Sequence, residues 1–592
     1  MDNLPKNTYR ERADQFRVAQ KKLHNQLSIT SIIRLLLFLL FAWFIYTAFS
    51  VRFSGYTLLF ALLCISFFLV VVFLADAIKK KIKFLQQLIL INENEINIEK
   101  GIPSFLDSGT LLSPAKGFAV DLNVFGKYSL FHLLNRTGSQ SGKQQLGEHL
   151  ASPFLEPEAI LNYQACVKEL SDKIDFRQLL LAHTLLFKEE ETLAQLQSGI
   201  PVDAFAALKS KFWGFLSIGW PILSVIVIPF CIWKDNYGLL FAIVIAGLLL
   251  MGLILKKVNL LYFHISKRSY LYNQYARCFG LISAEKFNHP YLQKKQEEII
   301  HASKAFRQLA SLTGVFDLRL SILSFFANGL FLLDLLCSRA YLKWNREHQP
   351  NIKYWFDNLG EMELLNSIAA FHYNHPSFIF PETMSEGLLI KATGMGHPLM
   401  KEDKAVTNNF SIGETGKLHL ITGSNMSGKS TFLRTLGLNT ILAQLGAPVF
   451  AKTFVLRPVR LLTSFHHIDS LEESTSYFYA ELKCLQEIIA SLESPQPALV
   501  LLDEVMRGTN SKDKHDGTAL LIKKLLNYQC LSLIATHDTE LGILSDNHAG
   551  RIENFCFESE LTNDELTFDF TMRNGVAQSK NATYLMKKMG IL

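Results

Sequence analysis

Three short stretches of the 592-residue chain set phosphate-binding and proton-handling side chains at the ends of apolar runs. The first, Gly423-Ser424-Asn425-Met426-Ser427-Gly428-Lys429-Ser430-Thr431, fits G-x-x-x-x-G-K-[ST]. In that spacing glycine amides wrap a polyphosphate, the lysine reaches the β- and γ-phosphates, and the next hydroxyl faces Mg²⁺. The second, Ala498 to Glu504, is an apolar run ending in two acids. A carboxylate at such a strand end holds Mg²⁺ and the next one polarises an attacking water, which assigns Asp503 to the metal and Glu504 to the general base. The third, Leu531 to Asp538, brings His537 to a strand end. A lone histidine is most often structural, but beside two nucleotide motifs His537 is a candidate for sensing the γ-phosphate or the attacking water. The implied cofactors are ATP and Mg²⁺.

These residues need rigid elements behind them. Leu418 to Thr422 predicts a buried strand running into the loop, and Thr431 to Arg434 opens a helix whose positive N-terminal end faces the phosphates. From about Ile390, β-branched or leucine-rich runs alternate with helical ones, as in an α/β nucleotide-binding domain, here residues 386–592. Residues 84–208 and 258–385 read as helical, amphipathic between Ser129 and Leu170, with Trp344 and Trp355 as packing residues.

Hydrophobic residues make up 49% of the chain and charged ones 19%, which points to membrane segments. Ile32 to Phe49 and Tyr56 to Ile78 are each long enough to cross a hydrocarbon core, separated by a turn around Ser50–Gly55, and residues 1–30 before them form a basic, polar tail. Residues 31–83 therefore read as one transmembrane hairpin. A second, within residues 209–257, comprises Trp213–Trp233 and Gly238–Leu255. Lys79, Lys80, Lys81 and Lys83 follow the first hairpin, while Lys209, Lys211, Lys256 and Lys257 flank the second. The positive-inside bias then puts four spans in a membrane, expected to be a bacterial inner membrane, with both termini and the nucleotide domain in the cytoplasm. Leu320 to Leu336 is also apolar, but it contains Asn328 and Asp334, and a fifth crossing would put the phosphate loop outside. It is read as a buried core helix. The net charge of +6 sits largely in basic runs beside the spans and says little about DNA. Eight scattered cysteines without a C-x-x-C favour reduced thiols over disulfides or zinc.

Together the motifs resemble the MutS family. Gly423–Arg434 is similar to its G-x-N-M-x-G-K-S-T loop and Ile441–Gly446 to the helix that follows. Ser476-Tyr477-Phe478-Tyr479-Ala480-Glu481-Leu482 resembles S-T-F-x-x-E-M, Asp503–Thr509 resembles D-E-x-x-R-G-T, and Thr536-His537 the T-H motif. Gly396-His397-Pro398 is similar to the H-P before the ATPase core, and Gly575–Ile591 to the closing helical segment. More loosely, Leu134-Asn135-Arg136-Thr137 with Gly142 and Pro153 resembles the start of the core and lever region. The resemblance implies an ABC-type P-loop α/β domain behind a helical core and lever region, and a homodimer through the ATPase domains in which Ser476 completes the partner's site. It assigns Lys429 to the β/γ-phosphates and Ser430 with Asp503 to Mg²⁺, with Asn425 and Thr431 helping to hold phosphate. The family's adenine-stacking aromatic falls near Ala405, which leaves that role open.

The departures are equally specific. The family's mismatch-reading domain with its F-x-E wedge gives way to the polar tail and first hairpin, and Phe187-Lys188-Glu189 matches F-x-E only in a helical region mid-chain. The second hairpin interrupts the lever region, and Asn510–His515 lengthens the loop before Asp516-Gly517. Hence the expectation is a membrane-anchored ATPase that moves lever helices. DNA is a partner by family resemblance only, since no basic-aromatic groove is visible and mismatch reading has no sequence ground. The alternative is an ABC-type transport or export ATPase, against which the lack of charge in the middle of the four spans counts. A non-catalytic scaffold is disfavoured by Lys429, Asp503 and Glu504.

Overall fold

The computed structural model describes residues 4–50, 55–114, 117–186, 202–266, 268–321, 323–387, 389–413, 417–424, 426–465, 477–506, 509–548, 550–562 and 565–578. It is a helix-rich α+β chain that divides into two compact units. One comprises residues 1–102, 137–142 and 175–363, and the other residues 103–136, 143–174 and 364–592.

The first unit is helical. Leu4–Ser50 and Gly55–Glu99 run antiparallel, and two further long apolar helices, Lys211–Trp233 and Tyr237–Ile265, follow. These four are long and apolar enough to cross a membrane. The residues expected as a polar tail are the start of the first helix, and they pair with the polar continuation of the second. Lys6 meets Glu99 at 3.1 Å, and Arg17 meets Glu93 at 2.5 Å. Helix Ile174–Thr184 joins them through Asn92 and Gln178, whose side-chain amides exchange hydrogen bonds, and through Arg12, which binds Asp175 and Gln178. Deeper in this unit the buried carboxylate of Glu363 accepts from the amides of Gly138 and Ser139, satisfying backbone donors ahead of helix Gln140–Ala151.

The stretch expected as one buried core helix departs from that reading. Helix Leu323–Phe331 ends at Leu332, which has φ 50°, and the chain bends by 77° into helix Leu333–Asn374. Phe325 and Phe326 on the short helix are exposed rather than buried. The polar pair noted in the sequence serves the break: Asn328 Oδ1 accepts from the Asp334 amide at 2.8 Å, and Asp334 pairs with Arg319 at 2.9 Å.

The second unit carries two sheets. The larger runs, edge to edge, Glu565–Asn574, Ile552–Thr562, Leu418–Gly423, Cys530–Thr536, Ala498–Asp503 and Arg460–Ser464. All pairings are parallel except that of the first two strands. Every residue of the three central strands is buried, as expected of largely apolar strands whose two faces are both covered by helices. Helices Tyr477–Leu492 and Ser511–Leu525 bring Leu485, Ile488, Ile522 and Leu525 onto Leu420, Val500, Leu502 and Ile534. Helix Lys429–Gln444 also packs on the central strands, with Leu501 close beneath Gly437. A smaller four-stranded sheet is ordered Glu382–Thr383, Thr453–Leu456, Ile390–Met395 and Asn408–Ile412. All eight cysteines are free.

Candidate functional site

In space the strand carrying His537 lies between the strand that feeds the glycine-rich loop and the strand that ends in the acids. Thr422 pairs with Thr536 in register, and Asp503 with Ala535. Parallel strands end on the same side, so the three candidate stretches converge at one edge of the sheet, where open parallel sheets place their ligands.

The loop is a tight turn from strand to helix. Gly423 has φ 154° and Gly428 has φ 110°, and Gly428 precedes the first residue of helix Lys429–Gln444, a left-handed position that favours glycine. A β-carbon on Gly423 would also lie 2.7 Å from the Phe557 carbonyl. Lys429 is buried, and its Nζ donates to the carbonyls of Gly423 and Ser424, each at 2.8 Å. The ammonium is thus folded into the cradle of its own loop. Ser424 Oγ and Ser427 Oγ are buried there without a hydrogen-bond partner among the described residues, and Met426 stands exposed at φ 68°. Ser430 and Thr431 occupy the first turn of the helix, where amide donors and the dipole favour an anion.

On the other side, Asp503 is buried at its strand end, and neither carboxylate oxygen has a hydrogen-bond partner among the described residues. A buried carboxylate with open lone pairs calls for a cation, so the donor set fits Mg²⁺ held by hard oxygen ligands. Glu504 follows at φ 53°, its amide donating to the Ala535 carbonyl at 2.9 Å, and its Oε1 contacts His537 Nε2. His537 Nδ1 lies 2.7 Å from the Gly423 carbonyl and 3.5 Å from Lys429 Nζ. A carbonyl only accepts, so Nδ1 donates to it. The imidazole therefore bridges the glycine loop and the acid turn.

Three features of the site were not assigned these contacts from the sequence; of them only Glu481 lies in a motif, as the acid of the Ser476–Leu482 segment. Glu481, buried on helix Tyr477–Leu492, accepts from the Met506 amide and holds the acid turn. His515 pairs with Asp538 at 2.7 Å, joining the lengthened loop's helix to the residue after His537, and that carboxylate raises the imidazole's affinity for its proton. The third is Phe570. A register shift in the edge hairpin between Phe568 and Met572 puts Phe570 at φ 56°, with its ring 3.2 Å from where a β-carbon on Gly428 would stand. Asn408 fixes the bulge, donating to the Phe570 carbonyl and accepting from the Met572 amide. The ring remains 43% exposed beside the loop. Ala405 is a half-buried loop residue with no ring to offer. Asn425, Ser476, Arg507, Gly508, the Phe187-Lys188-Glu189 match and the closing segment beyond Gln578 lie outside the described residues.

Residues 419–591, which hold all three strand ends, match the family described as MutS domain V. The DNA mismatch repair protein MutS of Thermotoga maritima is 28% identical over 325 residues, 54% of this chain and 37% of that protein. The MutS of Bacillus subtilis is 29% identical over 247 residues, 39% of this chain and 27% of its own length. The mouse MutS protein homolog 4 is 30% identical over 195 residues, 31% of this chain and 20% of its own. The chain thus spans well under half the length of these relatives.

Proposed function

Since through its C-terminal half the chain belongs to the MutS family, we propose that it is a membrane-anchored ATPase whose nucleotide domains pair and move its helical segments. The observation that carries the reading is the buried Asp503 carboxylate, without a hydrogen-bond partner among the described residues, at the same sheet edge as Lys429, Glu504 and His537. Lys429 exchanges its loop carbonyls for β- and γ-phosphate oxygens, while Gly423, Ser424, Asn425, Met426, Ser427, Gly428 and Thr431 line the phosphates. Ser430 and Asp503 hold Mg²⁺, which when bound supplies charge neutralisation at the phosphate oxygens. Glu504 takes the proton of the attacking water, and His537 orients that carboxylate while tying it to the loop. Ser476 serves the site of a second copy. Phe570 offers the adenine a face beside the loop, the role that Ala405 cannot fill.

The four apolar helices anchor the chain in a membrane, with the basic flanks and the ATPase on the cytoplasmic side. The Thermotoga maritima and Bacillus subtilis relatives are named DNA mismatch repair proteins. DNA is carried over as a partner by that likeness alone, without mismatch reading.

Purified protein in detergent tests the reading. Mg²⁺-dependent ATP turnover is expected, and Glu504→Gln should lower it by about 10²–10⁴-fold while ATP still binds, the span typical of a general base. Wild-type protein without Mg²⁺-dependent turnover, or a Glu504→Gln variant as fast as wild type, overturns it.

A further inference from the structure

Helix Leu323–Phe331 does not stand apart from the second apolar pair. Trp220 Nε1 donates to the Gly329 carbonyl at 2.9 Å, so the helix reaches Lys211–Trp233. On Tyr237–Ile265, a β-carbon on Gly247 would lie 2.0 Å from that same carbonyl, and one on Gly329 would lie 2.7 Å from Val244. Two facing glycines let the backbones touch, the usual device for close helix contact in lipid.

The depth of that contact follows from the numbering. Trp220 lies nine residues past Lys211, and Gly247 nine residues before Lys256. At 1.5 Å per residue each is about 14 Å from its basic flank, roughly the middle of a hydrocarbon layer about 30 Å thick. Gly329 shares that depth. Ten residues to either side of it stand Arg319 and Arg339, and both return to the basic side. Arg339 donates to the carbonyls of Leu208 and Ser210, just before the first helix of the pair, at 2.6 and 3.4 Å. Arg319 lies 5.5 Å over the ring of Tyr262, six residues beyond Lys256. The chain therefore goes in and comes out on one face, turning at Leu332, and the Arg319–Asp334 pair ties the descending arm to the returning one.

Resting on the membrane reading above, we infer that residues 323–338 form a re-entrant hairpin whose tip dips to the middle of the bilayer from the cytoplasmic side, and whose partner is the acyl chains of that one leaflet. Phe325 and Phe326, 44% and 54% exposed, are the side chains that meet the lipid. They continue the apolar surface of the spans at the same depth. The hairpin leaves the count of crossings at four and keeps the nucleotide site on the side of the basic flanks. It also fills volume in one leaflet only.

The test uses full-length protein carrying Cys64→Ser and Cys484→Ser, because the other six cysteines are buried. Ser321→Cys and Lys343→Cys report the side of each arm to a membrane-impermeant maleimide. Phe326→Cys, bearing an environment-sensitive fluorophore, reports depth through quenching by lipids nitroxide-labelled at mid-chain. Leu249→Cys, on the exposed face of a span, is the reference. Both arms should react only when the cytoplasmic face is opened, and position 326 should be quenched at least about half as strongly as position 249. Arms reacting from opposite faces mean a fifth crossing and overturn the hairpin. Quenching at position 249 but not at 326 overturns it as well, since the helix would then lie outside lipid. No quenching at position 249 instead rejects the membrane anchor, and the hairpin with it.

Discussion

Two of the turns that hold non-glycine residues at positive φ use the strain differently. The acid turn sets Glu504 at 53° and Met506 at 62°, while the break at Leu332 sits at 50°. Each such residue costs on the order of 1 kcal/mol or more, so each turn must be held by its surroundings. The acid turn is held by polar groups, the Ala535 carbonyl and the Glu481 carboxylate, and the result is a carboxylate aimed at His537. The Leu332 turn is held by a fully buried leucine, by Asn328 and by the Arg319–Asp334 pair, and the result is a 77° change of direction. In an apolar setting the break must satisfy its own backbone, and Asn328 does that for the Asp334 amide. Similar strain can thus aim a reactive group or steer a chain, and the groups that hold it distinguish the two uses.

Asp334→Leu should break the steering turn alone. Removing one member of a buried pair costs about 3–5 kcal/mol, seen as a lower unfolding temperature in detergent, with ATP turnover below that temperature within about threefold of wild type. A large loss of turnover in folded protein would show that the two turns are not separate in use. Glu481→Ala should break the aiming turn. Losing a buried, charge-assisted hydrogen bond worth about 2 kcal/mol should slow turnover roughly 30-fold with ATP affinity little changed. Unchanged turnover would mean that Glu504 keeps its aim without Glu481.

A third test concerns acid. Burial, helped by the positive charge of Arg434, pushes His397 down to about 4, and burial pushes His419 down to about 4 against the opposing Glu553. Both fall below the value of about 6.5 expected in the unfolded chain. Their contribution to stability is therefore full above about pH 6.5 and is lost as pH falls from there through about 4. Melting temperature followed across that window should fall less steeply in His419→Leu than in wild type, and parallel curves would refute the assignment. The smallest effect is expected from Met506→Gly. Relief of the positive φ should leave stability within about 1 kcal/mol of wild type, while turnover drops severalfold as Glu504 loses its fixed direction. A glycine variant as fast as wild type would make Met506's strain incidental.

The loop, the acid pair and the four apolar helices were legible because each is written within a few consecutive residues. Leu418 to Thr422 predicts a buried strand, and six buried residues follow from Leu418 to Gly423. Residues 320–336 were misread for a related reason. Their composition is that of a buried helix, and neither Leu332 nor its neighbours signals a left-handed break, since leucine rarely takes one. Phe570 carries no motif either. Its place beside Gly428 depends on a bulge and on Asn408, 162 residues away.

By itself the sequence determined which groups could do chemistry and which segments suit a membrane, since loop spacing and run length are local properties that survive without any partner strand. Only the tertiary structure decided that the His537 strand lies between the other two, that Glu504 and the Gly423 carbonyl share one imidazole, and that the chain bends sharply just past its contact with Gly247. Each of these joins residues far apart in sequence, and such pairings arise from mutual burial and hydrogen bonding that leave no periodic trace in either segment.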